Sequence, residues 1–149
     1  MLNSVEDVYT RLEKIDKSLK AFVAEPNRLE RLQKSFDQLS SKLDSNTFLP
    51  LSGQIFGVKD IFHVDGLPTK AGSCLPPSAL EGPQADCVTK LQRAGAILLG
   101  KTATTEFAYF EPAETRNPRN HEFTPGGSSS GSAAAVGAGM CDFTLGTQT

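Results

Sequence analysis

The sequence predicts an α/β fold, and three observations carry that prediction. Residues 5–43 hold two apolar stripes at helical spacing and no strand pattern. From residue 55 onward, short apolar runs alternate with helical patterns. A small-residue helix pattern at 130–140 then feeds into another strand pattern at 143–146. Strand–helix–strand repetition after an all-helical start argues for a sheet layered with helices. The expected organisation is an N-terminal helical pair over 1–48 and an α/β domain over 49–149.

Val5, Val8, Leu12, Ile15, Leu19 and Phe22 are spaced 3, 4, 3, 4 and 3 apart, the stripe of an amphipathic helix over 5–22. Ser4 followed by Asp7 is the start signal of a capping box. Leu29, Leu32, Phe36, Leu39 and Leu43 form a second stripe, with Pro26 near its first turn. Each stripe covers only about two and a half heptads, which favours an antiparallel pair packed on other elements over a coiled coil. After Ser45-Asn46 the texture changes. Residues 54–64 are apolar and β-branched between Gly53 and Gly66, and read as one or two buried strands.

Residues 83–95 read as a helix with Asp86 near its start, Val88 and Leu91 inward and Gly95 at its end. The continuous apolar run at 96–100 reads as a strand of a buried sheet. Residues 104–110 suit a short helix, and the polar, proline-containing stretch 115–124 suits a long loop.

The chain has 149 residues, 38% hydrophobic and 21% charged, with a formal net charge of -2. That balance gives no reason to expect nucleic acid or an anionic membrane as the main partner. Cys74, Cys87 and Cys141 are odd in number and read as free thiols in a reducing compartment. The N-terminus lacks the basic and apolar regions of a secretory signal, and no stretch approaches the roughly 18 apolar residues of a membrane span. A soluble, cytoplasmic protein is expected. The last residues, 143–149, rise into an apolar strand pattern and stop there.

The main local feature is Thr124-Pro125-Gly126-Gly127-Ser128-Ser129-Ser130-Gly131-Ser132-Ala133-Ala134-Ala135. A flexible linker is one reading, but an apolar helix and strand follow at once. A phosphate cradle is a second. It lacks the Gly-Lys-Ser/Thr ending of a P-loop and the preceding strand of a dinucleotide fingerprint. The third is a catalytic surface, because acyl transfer needs a hydroxyl beside exposed backbone N–H groups.

Such a hydroxyl needs a base. His63 falls in a strand pattern and His121 in a polar loop, and both read as surface or satisfied polar residues. A lysine kept neutral by burial can replace histidine, since apolar surroundings lower its pKa from about 10.4. Lys59 stands in Ile55-Phe56-Gly57-Val58-Lys59-Asp60-Ile61-Phe62. Periodicity leaves two states open for it: buried and neutral, or snorkelling and paired with an acid such as Asp60.

Three segments in order support a family resemblance: Gly57-Val58-Lys59-Asp60, the Gly126–Ala135 run, and Leu145-Gly146-Thr147-Gln148-Thr149. Together they resemble the amidase signature family. Gly95–Thr102, Glu106-Phe107-Ala108 and Thr115–Pro118 add to the likeness, which runs from about residue 50 to the end.

The resemblance implies an α/β/α fold with a mixed sheet, incomplete in this chain. It also implies hydrolysis of a carboxylic amide to carboxylate and ammonia or an amine, by a Ser-cis-Ser-Lys triad. Lys59 matches the base and Ser128 the bridging serine, joined to Gly127 by a cis bond; Ser129 matches a supporting serine. The nucleophile would be the third residue past Thr149, and the oxyanion hole would begin around Thr149.

The family needs neither metal nor organic cofactor, so none is expected. The implied substrate is a small-molecule amide. No direct nucleic-acid partner and no membrane are expected, and a homo-oligomer is compatible with the pattern. The runner-up is the A subunit of a tRNA-dependent amidotransferase, releasing ammonia from glutamine. Gln148, where many relatives carry Asp, and the three consecutive serines are read against that branch. An inactive fragment or pseudoenzyme is the third reading. By this likeness 149 residues is about a third of a complete enzyme.

Overall fold

A computed structural model describes residues 4–45 and 47–148. Thr149, expected at the oxyanion hole, lies outside the described residues, as does Asn46 at the change of texture. Helix α1 spans Val5–Leu19 and is capped as its sequence signals, with the Ser4 hydroxyl accepting from the Asp7 amide at 3.1 Å. A cap of this type is worth roughly 1 kcal/mol.

The α1 stripe expected through Phe22 stops three residues short. Lys20 turns left-handed, at φ 53°, and the Asp16 carboxylate accepts from the amides of Ala21 and Phe22. Those amides therefore bond a side chain instead of continuing the helix. Phe22 leaves to make an antiparallel bridge with Thr102.

Helix α2 spans Arg28–Asp44. Its inward face is rotated relative to expectation: Leu29 is exposed and Arg28 is buried. The Arg28 guanidinium donates to the Val23 carbonyl at 2.6 Å, pairs with Glu25 at 3.1 Å and lies over the Phe22 ring. With its polar ends satisfied, the arginine can occupy a core position. Arg31 reaches further and donates to the Leu98 and Leu99 carbonyls at 2.7 and 2.9 Å, fastening α2 to the sheet.

Among the described residues the sheet has three strands: β1 at Ile55–Lys59, β2 at Ile97–Thr102 and β3 at Phe143–Leu145. Their order is β2-β1-β3, and β1 is parallel to both neighbours. With the antiparallel Phe22–Thr102 bridge, the pairing is mixed. Helix α3, Asp86–Arg93, precedes β2; helix α4, Ser130–Gly137, precedes β3. The expected helix at 104–110 shrinks to one short turn, Glu106–Ala108, because Phe107 and Ala108 take positive φ.

Alternation along the strands sorts the core into two layers. Ile55, Ile97 and Leu99 pack with α1, α2 and residues Ala134 and Ala135 of α4. Phe56, Val58 and Leu98 pack on the other side with Val88 and Leu91 of α3, and Phe56 stacks on Phe143 at 5.5 Å. This is the α/β/α layering the family resemblance implies. The helical pair shares its buried face with the sheet.

One irregularity sets the chemistry of the strand ends. Register shifts between Phe56 and Gly57, so Gly57 pairs with Gly100, Val58 with Lys101 and Lys59 with Thr102. An extra residue in β2 reverses which side chains face which layer. Lys101 therefore sits beside Val58 on the α3 side, and Thr102 sits beside Lys59.

Candidate active site

Lys59 is the last residue of the central strand, at the carboxyl end where the chain crosses from one side of β1 to the other. Open α/β sheets place their sites at such crossings. Its side chain is fully buried, at 0% exposure. Its Nζ donates to the hydroxyls of Ser128 and Thr147, each at 2.7 Å. Among the described residues no carboxylate is within ion-pairing distance of it. Burial alone pushes its pKa below the ordinary 10.5.

Asp60 does not fill that role. It forms an ion pair at 2.7 Å with Lys101, a second buried lysine on the opposite side of the sheet. Lys101 also donates to the Thr69 hydroxyl at 2.7 Å and the Pro68 carbonyl at 3.1 Å. Of the two states open for Lys59, the structure has the buried one.

Ser128 is 6% exposed and follows a cis Gly127–Ser128 peptide bond. Its carbonyl accepts from the Thr105 amide at 3.0 Å and the Thr104 hydroxyl at 3.1 Å. Ser129 faces the exit of β3 instead. Its hydroxyl accepts from the Thr147 amide at 3.0 Å and donates to the Thr147 carbonyl at 2.9 Å. Two further hydroxyls, on Thr102 and Ser132, meet at 2.7 Å behind this pair.

A cleft of about 300 Å³ opens beside Ser128, lined by Gly127, Thr105, Tyr109 and Phe110 among others. His63 lies away from the site, 3.1 Å from the Thr69 hydroxyl, and His121 is exposed in a turn.

The structure thus brings Lys59, Gly127, Ser128 and Ser129 together. Thr147, visible in the sequence only as part of a terminal run, accepts from Lys59, 88 positions away. A hydroxyl two residues past a strand end is the only local hint. Thr104, Thr105 and the Asp60–Lys101 pair are also unforeseen. A buried lysine presenting its nitrogen to a serine hydroxyl can move a proton if the amine is neutral.

The family model described as Amidase matches residues 3–149. Among curated relatives, the A subunit of the glutamyl-tRNA(Gln) amidotransferase of Sulfurisphaera tokodaii is 37% identical over 153 residues, covering 97% of this chain and 31% of that protein. Other relatives at 33–36% identity carry the same name.

Among solved structures, one comes from an inhibitor-bound vestigial complex bearing on the evolutionary origins of an s-triazine catabolic enzyme. It aligns with TM-score 0.83 and 34% identity over 97% of this chain and 33% of that one. A crystal structure of an amidase aligns with TM-score 0.82 and 32% identity, over 97% and 34%. The chain spans about a third of the length of the proteins it matches.

These names overturn the expectation of no direct nucleic-acid partner. The relatives are components of an enzyme named for a tRNA-linked substrate. A summed charge reports phosphate attraction only for the stretch it is summed over, and a net -2 over this chain is silent on the rest of an assembly. Among the described residues, no helix is long and apolar enough to cross a membrane.

Proposed function

The chain belongs to the amidase signature family, and from that premise we propose that its protein cleaves a carboxylic amide through a relay in which Lys59 is the base and Ser128 the bridge. The 2.7 Å contact from a fully buried, acid-free Lys59 to the Ser128 hydroxyl carries this reading. The attacking hydroxyl is the serine that the family likeness puts at the third position past Thr149. As its oxygen bonds to the carbonyl carbon, its proton passes to Ser128 and that of Ser128 to Lys59. The C–N bond then breaks, and the leaving nitrogen takes a proton back along the same path. Water repeats the attack on the acyl-enzyme and regenerates the serine.

Two substrate readings follow from the relatives. The curated ones favour the A subunit of a tRNA-dependent amidotransferase, whose amide substrate is glutamine and whose ammonia goes to partner subunits. Gln148 and the serine run do not outweigh them. Gln148 is an exposed single position, whereas the likeness covers 97% of the chain. The amidase structure supports a second reading, a free-standing amidase.

Ammonia release separates the two. The protein expressed from its complete reading frame is assayed with glutamine, with and without amidotransferase partner subunits, and with simple primary amides. Partner-dependent glutaminase activity supports the first reading, and partner-independent turnover of simple amides supports the second. Lys59→Ala should remove about 10³-fold or more of either activity. Full activity in that variant would overturn the relay.

A further inference from the structure

We propose that Thr104 and Thr105 are positioning residues that hold the main-chain carbonyl of Ser128 and so set the approach of its hydroxyl to Lys59. The proposal rests on the relay reading above. Two donors from adjacent residues converge on one carbonyl: the Thr105 amide at 3.0 Å and the Thr104 hydroxyl at 3.1 Å. A carbonyl has two lone pairs, and both are engaged. Thr104 and Thr105 are 3% and 5% exposed, so water competes little for these bonds.

The donors are themselves fixed. The Thr105 hydroxyl donates to the Tyr109 carbonyl at 2.8 Å, which sets its rotamer. Its methyl then stands 2.7 Å from where a Cβ on Gly127 would be, closing the space beside the peptide that precedes Ser128. The Thr104 hydroxyl also lies 3.0 Å from the Thr105 carbonyl and shares its single proton between two acceptors. Behind them, the Ala103 amide donates to Ala21 at 2.8 Å and the Ala103 carbonyl accepts from Gly131 at 2.9 Å. With the Thr102–Ser132 hydroxyl pair, residues 102–105 make a rail along which residues 128–132 are fastened.

The Lys59 backbone is held in β1 beside Thr102 and its Nζ is anchored to the Thr147 hydroxyl at 2.7 Å, so the approach of the Ser128 hydroxyl is set from the Ser128 side. A merely structural hydrogen bond would alter how many molecules fold, whereas a positioning bond alters how fast each folded molecule turns over.

The test uses the protein from its complete reading frame, assayed by ammonia release from glutamine and from benzamide, with folded protein quantified by circular dichroism. Thr104→Val keeps the shape and removes the donor, and Thr104→Ser restores the donor. Thr104→Val should lower kcat per folded molecule by about ten- to hundred-fold with KM changed by less than about threefold. Its solvent deuterium isotope effect should rise as proton passage becomes limiting. Thr104→Ser should return kcat to within about threefold of the parent.

A Thr104→Val kcat within about twofold of the parent, or a Thr104→Ser variant equally impaired, overturns the proposal. If Thr104→Val does not fold, Thr105→Val decides. It keeps the amide donor and the shape but frees the rotamer, so a several-fold kcat loss supports the proposal and parental kcat overturns it. Lys59→Ala runs alongside: full activity there sinks the relay itself, whatever the threonine variants do.

Discussion

Lys59 and Lys101 stand on adjacent strands, both out of water, and the carboxylate of Asp60 lies against Lys101. The shift in register between Phe56 and Gly57 sends the two lysines to opposite sides of the sheet. Asp60, next along the chain from Lys59, points to the Lys101 side. One lysine thus keeps a counter-ion, and the other is left with two neutral hydroxyls. A buried amine without a counter-ion favours its neutral form, the form a base requires.

The rate should therefore rise with pH and level off below pH 10.5, the ordinary lysine value. Stability has the same sign. Folded Lys59 releases its proton below 10.5, whereas the unfolded chain holds it until about there. The unfolded state binds more protons across that window, so stability increases with pH through it. Lys59→Met should abolish turnover and raise the melting temperature at pH 7, with the gain shrinking as pH approaches 10.5. An acid limb centred at or above pH 10.5, or a Lys59→Met variant that melts lower at pH 7, would contradict this account.

The counter-ion of Lys101 makes the opposite prediction for its own pair. Burial pushes Lys101 down, while Asp60 pulls it back up. Asp60→Asn leaves a cation in the core without its carboxylate and should cost about 3–5 kcal/mol in urea denaturation. Adding Lys101→Met removes the stranded charge and should recover most of that loss. Additive losses in the double variant would show that the pair does not act as a unit.

Much of this was legible in the sequence because periodicity records burial. Val8, Leu12, Leu32 and Leu39 fall on their stripes and are buried. Lys59 and Ser128 could be singled out because a lysine in an apolar strand and serines in a glycine run are chemically unusual. Phe22 misled because the spacing runs through it, while a carboxylate six residues earlier ends the helix. Lys101 passed unremarked because it follows a glycine at the end of an apolar run. The bulge then turns it to the α3 side, away from Lys59. Thr147 and Thr104 act through hydroxyl directions, which no spacing encodes.

The cysteines can be separated by reactivity. Cys74 and Cys87 are exposed and Cys141 is buried. Burial, followed by the nearby Asp142 carboxylate, pushes the Cys141 thiol up to about 12. The thiolate is the reactive form. Iodoacetamide at pH 8 should label Cys74 and Cys87 in the native protein, and Cys141 only after unfolding. Mass spectrometry of tryptic peptides reads this directly, and rapid native labelling of Cys141 would refute it.

The serine loop should tolerate almost no growth at Gly131. This residue opens α4 where the helix crosses the ends of two segments. A Cβ there would lie 2.2 Å from the Ala21 carbonyl oxygen and 2.4 Å from the Ala103 nitrogen. Both are backbone atoms, and both are tied, since the Ala103 amide donates to the Ala21 carbonyl at 2.8 Å. No rotamer change relieves the clash, so either α4 lifts or the Ala103 segment moves. Each movement breaks the Gly131-to-Ala103 bond and shifts Ser128 away from Lys59. Gly131→Ala should cost about 3 kcal/mol or more, and it should lower kcat in whatever fraction still folds. Two residues along the same helix Ala133 is exposed, and Ala133→Gly should cost only about 1 kcal/mol through helix propensity. Denaturation of the two variants side by side tests the crossing. Equal losses would mean that backbone contact at Gly131 does not hold the loop.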